Sequence, residues 1–182
     1  MSFVGGVGYS NIDLIYSGLD RLPDKGEEIF ARGFSMQFGG GIPATMINLS
    51  RLGVESRIIT FAGHDLFSEF VKKTLNSYPV KTVNLYKGNK MPVVLSSTLL
   101  YCGDRSFISY TDGMDLNDAV MDEVYENLKG AYVVDMHVGF LDVYKRLKKD
   151  GCIQIFDTGW EDDLTLEKYK DYLEIPDYYI PN

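Results

Sequence analysis

Phe38-Gly39-Gly40-Gly41-Ile42-Pro43-Ala44-Thr45-Met46-Ile47-Asn48-Leu49-Ser50-Arg51-Leu52-Gly53 runs three consecutive glycines into an apolar-periodic segment that closes on a fourth. Glycine has no Cβ, so it reaches positive φ and lets backbone approach a bound molecule closely. The unpaired N–H groups of a first helical turn then point at whatever sits there. Ala44, Met46, Ile47, Leu49 and Leu52 predict a helix over residues 44–52 with a broad apolar face, and Gly53 supplies a left-handed stop. The stretch reads as a strand-to-helix junction facing a ligand; an ordinary strand-to-helix turn is the alternative.

Working outward, strands and helices alternate. Ser56 to Ala62 reads as a buried strand, Phe67, Phe70, Val71, Thr74 and Leu75 recur at helical spacing, and Val80 to Leu85 returns to extended structure. Asn117 is placed to cap a helix carrying Val120, Met121, Val124, Tyr125 and Leu128, with a strand over Ala131 to Met136 behind it. A short helix (Leu141, Tyr144, Leu147), a strand (Cys152 to Phe156), a helix (Leu166 to Tyr172) and a last strand (Tyr178 to Ile180) complete the series. Such alternation predicts an α/β fold: an open, mostly parallel sheet with helices on both faces. Two stretches break the rhythm and read as antiparallel ribbons, about 28–38 and 91–110, the second turning at Cys102-Gly103-Asp104. A lid over a site, a dimer contact and a plain sheet extension all fit them.

The 182 residues are 45% hydrophobic, enough to bury a core, and carry a formal net charge of -8. With no Lys/Arg run longer than Lys148-Lys149, the chain lacks the basic footprint of a nucleic-acid binder. The opening Met1-Ser2-Phe3-Val4-Gly5-Gly6 has no basic n-region, and no apolar run approaches the ~20 residues that span a bilayer, so no membrane association and a cytoplasmic location are expected. Cys102 and Cys152 stand far apart, and His64 and His137 are the only imidazoles; neither a disulfide framework nor a metal site is expected.

Taken in order, an opening glycine-containing strand leading to Asn11-Ile12-Asp13, Leu22-Pro23-Asp24-Lys25-Gly26-Glu27, Gly39-Gly40 before a helix ending Arg51-Leu52-Gly53, and Gly63-His64-Asp65 with Phe67 resemble the ribokinase-like, or pfkB-type, carbohydrate kinases. The resemblance covers essentially the whole chain and implies transfer of the ATP γ-phosphate to a sugar hydroxymethyl group, with Mg2+. It implies substrate binding by Asn11, Asp13, Gly39, Gly40, Gly41 and the position of Ala44. Asp13 would accept hydrogen bonds from two sugar hydroxyls, with Asn11 donating and accepting beside it; a turn after the strand is the plain alternative. His137, just past its strand, edges the same cleft or packs as an ordinary histidine. Asp157, at the end of a parallel strand, faces the cleft where α/β sheets place ligand contacts. Pro181-Asn182 resembles the family's turn beside the nucleotide, which makes Asp157 and Asn182 the expected cofactor contacts.

Two departures accompany the resemblance. Ala44 stands where these kinases commonly carry a substrate-binding Asn, which leaves the identity of the sugar open. The Gly-x-Gly-Asp segment that supplies the family's catalytic base and anion-binding helix start does not occur. The catalytic Asp is accordingly expected beyond residue 182, and the chain reads as the substrate-binding front part of a kinase, without its ATP-binding remainder and inactive alone. A nucleoside kinase of the same family and a non-catalytic sugar-binding module are the rivals, and a homodimer through the ribbons is compatible with either. Gly6-Val7-Gly8 is a degenerate dinucleotide fingerprint, and Asp157-Thr158-Gly159 a short match to the aspartic-protease triplet; both are weak.

Overall fold

The computed structural model describes residues 2–159 and 163–180. Two sheets form. The larger has six parallel strands in the order β10-β9-β8-β1-β4-β5: β1 (Phe3–Val7), β4 (Ser56–Thr60), β5 (Lys81–Asn84), β8 (Ala131–Met136), β9 (Ile153–Phe156) and β10 (Tyr178–Tyr179). The smaller has the order β3-β2-β6-β7, from β2 (Asn11–Ser17), β3 (Gly33–Gly39), β6 (Val94–Tyr101) and β7 (Asp104–Tyr110). The helices are α1 (Gly41–Arg51), α2 (Leu66–Asn76), α3 (Asp118–Leu128), α4 (Leu141–Lys149) and α5 (Leu166–Leu173). None among the described residues is long and apolar enough to cross a membrane.

Side-chain alternation sorts the core into two layers. One face of the large sheet presents Phe3, Val7, Ile59, Val134, Met136 and Phe156 to Val124 and Leu128 of α3, Val143, Tyr144 and Leu147 of α4 and Tyr169 of α5. The opposite face presents Ile58 to Met46 and Ile47 of α1 and Val71 and Leu75 of α2, and Ile12 of the small sheet joins this second cluster. Glycines let α1 lie close on β1: a Cβ at Gly6 would sit 2.4 Å from Ile42 Cγ2, and one at Gly8 2.9 Å from Ile42 Cβ. The Gly6-Val7-Gly8 run therefore serves helix-strand packing, and the segment after it is strand β2 rather than a dinucleotide-binding helix.

Several boundaries differ from the sequence reading. Helix α1 begins three residues before the expected Ala44, because Gly40 as N-cap (φ 102°) lets Gly41, Ile42 and Pro43 fill the first turn, where proline's missing N–H costs nothing. Its buried face is Ile42, Pro43, Met46, Ile47 and Ser50, leaving Ala44 exposed and Leu52 79% exposed beyond the last turn. Residues 28–38 do not make a ribbon of their own. Only Gly33–Gly39 is strand, and it pairs antiparallel with Asn11–Ser17, which in turn lies parallel to β6. The second ribbon is the expected hairpin, β6 to β7, turning through Cys102 and Gly103 with φ of 51° and 79°, the paired positive values of a type I′ turn.

Candidate functional site

At the carboxyl end of the large sheet, between α1 and the strands β8 and β9, lies a cleft of about 610 Å³ lined by Gly41, Thr45, Asp135, His137, Asp157 and their neighbours. Its position follows from topology. Parallel strands deliver their carboxyl ends to one edge, and the strand order changes direction at β1, from which β4 and β8 diverge to opposite sides. Asp135 opposes Ile155 in the β8–β9 register, so Asp157, two residues on, falls beside His137. The loop carrying His137 is pinned from below: its backbone N–H donates to Tyr144 Oη (2.8 Å), and that of Gly139 donates to Tyr172 Oη (2.8 Å).

The electrostatics of the cleft are acidic. Burial pushes the Asp135 carboxyl up to about 6; the Thr45 hydroxyl opposes that shift and the charge on Asp157 adds to it. The Thr45 hydroxyl lies 3.1 Å from the Gly41 carbonyl, so with one proton to give it cannot satisfy that acceptor and Asp135 together. His137 Nδ1 stands 2.7 Å from the Val138 carbonyl, which can only accept; the ring N–H is therefore on Nδ1 and Nε2 keeps its lone pair. Burial lowers the His137 pKa and favours the neutral ring. Asp157 Oδ1 accepts from the Gly159 N–H (2.8 Å).

The small sheet contributes a second polar surface next to the glycine junction. Asn11 Nδ2 donates to Asp13 Oδ1 (2.9 Å), Ser96 Oγ lies 3.3 Å from Asn11 Oδ1, and Ser96 and Ser109 hydroxyls pair at 2.8 Å. The register places Asn11, Asp13, Ser96 and Ser109 on one face. Asp13's other oxygen is kept clear by Gly39: a Cβ there would sit 2.8 Å from Oδ2. Burial raises the Asp13 pKa, against the opposing pull of Asn11 and of the positive Arg105. Tyr9 bridges the two surfaces, its ring 6.2 Å from that of His137 and its carbonyl 2.6 Å from where a Gly40 Cβ would be.

Of the residues singled out in the sequence, Gly41, His137 and Asp157 line the cleft; Asn11, Asp13 and Gly39 cluster on the small sheet; and Gly40 joins the groups. Ala44 lies exposed on α1 beside Thr45, which does line the cleft. Asn182 lies outside the described residues. Gly63-His64-Asp65 has a structural role, since Asp65 caps α2 by accepting from the N–H groups of Phe67 (3.0 Å) and Ser68 (2.9 Å). Sequence reading missed Asp135 and Thr45. The available signal was an acid in the otherwise apolar strand Ala131–Met136, one residue from its carboxyl end.

The described residues along this cleft do not fit a nucleoside triphosphate. The cleft lining holds carboxylates and no Lys or Arg, and carboxylates repel phosphate. Nor do they fit a resident metal, since no group of three or more His, Cys, Asp or Glu among them could hold one.

The model of the pfkB family carbohydrate kinases matches residues 1–182. A curated but uncharacterized sugar kinase of Pyrococcus horikoshii is 35% identical over 92 residues, 48% of this chain and 30% of that protein. Its solved structure superposes with a TM-score of 0.70 at 26% identity, covering 96% of this chain and 58% of that one, and it has also been solved in complex with ATP. Ribokinase of Giardia lamblia superposes with a TM-score of 0.80 at 18% identity, covering all of this chain and 57% of that one. Ribokinase of Arabidopsis thaliana, complexed with ribose and ATP, gives 0.75 at 22% identity, covering all of this chain and 61% of that one. The likeness to the two ribokinases is one of fold. The chain spans 57 to 61% of the length of these solved relatives.

Proposed function

We propose, from the premise that this chain belongs to the pfkB family of carbohydrate kinases, that residues 1–182 are the sugar-binding portion of an ATP-dependent kinase acting on a sugar hydroxymethyl group. The observation that carries the reading is the arrangement at the glycine junction. Asp13 has one oxygen held by Asn11 and the other left open by the missing Cβ of Gly39, within a carboxylate raised in pKa by burial. A carboxylate so placed accepts from vicinal hydroxyls, and Asn11 fixes its orientation. Gly40 follows Gly39 directly, and Gly41, His137 and Asp157 line the neighbouring cleft.

Nucleotide phosphates and Mg2+ would be held by groups outside the described residues, with Asp157 and Asn182 at the margin of that site. When bound, ATP supplies the transferable phosphoryl group; the residues described here bind and orient the acceptor. A bare sheet face supports the assignment of a portion. Val133, Ile153 and Ile155 are half-buried and Tyr178 and Ile180 are 61% and 58% exposed, all on the side of β8, β9 and β10 that no described helix covers. Parallel sheets are ordinarily covered on both faces. The outer part of the small sheet, with Phe34, Met36, Ile108 and Tyr110 exposed, is proposed as a contact with a second copy, testable by sedimentation.

The test is sugar-dependent ADP release by the complete gene product over a panel of pentoses, hexoses and nucleosides. Turnover with a sugar is expected, and turnover confined to nucleosides would make it a nucleoside kinase. Sugar binding without ATP turnover would leave a non-catalytic binding module. Residues 1–182 alone are expected to release no ADP; steady release would overturn the division of labour.

A further inference from the structure

We infer that Ser96 and Ser109 are positioning residues for the sugar: together they hold the Asn11 amide with its N–H on Asp13, and through it set how the Asp13 carboxylate meets the substrate. The inference rests on the sugar-binding reading of Asp13 and deepens it. Its basis is a chain of hydrogen bonds that crosses three strands, from β7 through β6 to β2. Asn11 Nδ2 donates to Asp13 Oδ1 (2.9 Å), Ser96 Oγ donates to Asn11 Oδ1 (3.3 Å), and the Ser96 and Ser109 hydroxyls lie 2.8 Å apart. An ionised carboxylate can only accept, and a serine has one proton to give. With the Ser96 proton on Asn11, the remaining link is donated by Ser109, so every bond in the chain runs toward Asp13.

Backbone pairing delivers these side chains to one face, since Asp13 opposes Ser96 and Ser96 opposes Ser109 in register. Ser96 is the buried middle of the chain at 4% exposure, Asn11 and Asp13 are half-buried, and Ser109 is exposed. Without the Ser96 donor, the Asn11 carbonyl oxygen would turn toward water or a sugar hydroxyl and take the amide off Asp13. With it, Asp13 Oδ1 stays engaged, and Oδ2, which has Gly39 rather than a Cβ beside it, is left to incoming hydroxyls. A hydroxyl on this face is not bonded merely by being there. Thr98, two residues along β6 and also 4% exposed, has an Oγ1 with no partner among the described residues. The bonded hydroxyls are those that lead to Asn11.

The experiment follows ADP release by the complete gene product as a function of sugar concentration, using the pentose or hexose that it turns over fastest. Ser96→Ala and Ser109→Ala are each expected to raise KM for the sugar roughly 3- to 10-fold, the value of one neutral hydrogen bond, with kcat changed by less than about 2-fold. Because Ser109 acts through Ser96, the double substitution is expected to raise KM no further than Ser96→Ala alone. Ser109→Thr keeps a hydroxyl at an exposed strand position and is expected to restore KM. Thr98→Val removes the unpartnered hydroxyl from the same strand and is expected to leave KM unaltered. Should Ser96→Ala fail to fold in urea unfolding, the comparison of Ser109→Ala with Ser109→Thr decides alone. Unaltered KM in the serine variants while Asp13→Ala cripples sugar use overturns the positioning role, even if stability falls. So do losses that multiply in the double variant, or an equal loss in Thr98→Val. Failure to turn over any sugar, or sugar kinetics unchanged in Asp13→Ala, overturns the sugar-binding reading and this inference with it.

Discussion

Asp13 has one oxygen engaged by Asn11 and one open beside Gly39, so its removal deletes acceptors without opening the core. Asp13→Ala in the complete gene product is expected to lower kcat/KM for the sugar by roughly 100-fold or more, two charge-assisted hydrogen bonds' worth, with ATP affinity nearly unchanged. Sugar-saturation kinetics and a nucleotide titration check this, and unchanged sugar kinetics would remove Asp13 from the site. Asp135 makes a prediction about stability. Its folded pKa of about 6 lies above the ordinary value of about 3.9, so between those values the folded chain holds more protons than the unfolded one. Stability from this group is therefore greatest below about pH 4 and declines as pH rises through about 6, by on the order of 2 kcal/mol. Asp135→Asn should flatten that decline in urea unfolding followed from pH 4 to 7; an unaltered profile would place the loss elsewhere. The grouping of Asn11 and Asp13 with Gly39 was legible because their order relative to the glycine junction carries the family pattern. Asp135 was not, because nothing local tells an acid in an apolar strand whether it will meet a helix, a cleft or water.

The start of α1 concentrates backbone constraint in one residue. Gly40 has φ 102°, and any Cβ there would sit 2.6 Å from the Tyr9 carbonyl, so Gly40→Ala suffers both a left-handed strain and a clash with backbone that cannot swing away. A loss of roughly 2–3 kcal/mol is expected, with a matching rise in KM because Gly39 and Gly41 move with it. Asp65→Ala, which removes the cap of α2 and touches none of the cleft lining, should cost only about 1 kcal/mol and leave KM alone. Urea unfolding and sugar kinetics on the two variants separate the roles; equal KM values would show that the junction does not position the sugar. Elements whose signal is local were readable in advance: the strand Ala131–Met136 has the expected limits and Asn117 caps α3 by accepting from Val120. The small sheet was only half readable. Its hairpin is a local event, but β2 pairs with β3 and with β6 across long loops, and such non-local pairing leaves no periodicity in either strand.

For the molecule as a whole, the covering of the sheet is uneven. Helices α3, α4 and α5 close one face along β8, β9 and β10, whereas α1 and α2 close the other only over β1, β4 and β5. Ile155 stands in the middle of the open half, half-buried, with Tyr178 opposite it in register. If the proposed remainder of a longer kinase packs there, the same substitution must have two different costs. Ile155→Asp in residues 1–182 alone sets a carboxylate at a surface that already meets water, and should cost about 1 kcal/mol or less while reducing self-association. In the complete gene product it buries an unpaired charge between sheet and helix and should cost about 3 kcal/mol or more, or prevent folding. Paired thermal melts, with light scattering to follow association, measure both. Equal, small losses in the two forms would mean that the open half of the sheet is a free surface in the complete protein. The acidic cleft, which Ile155 itself lines, would then need another source for the donors that phosphoryl transfer requires.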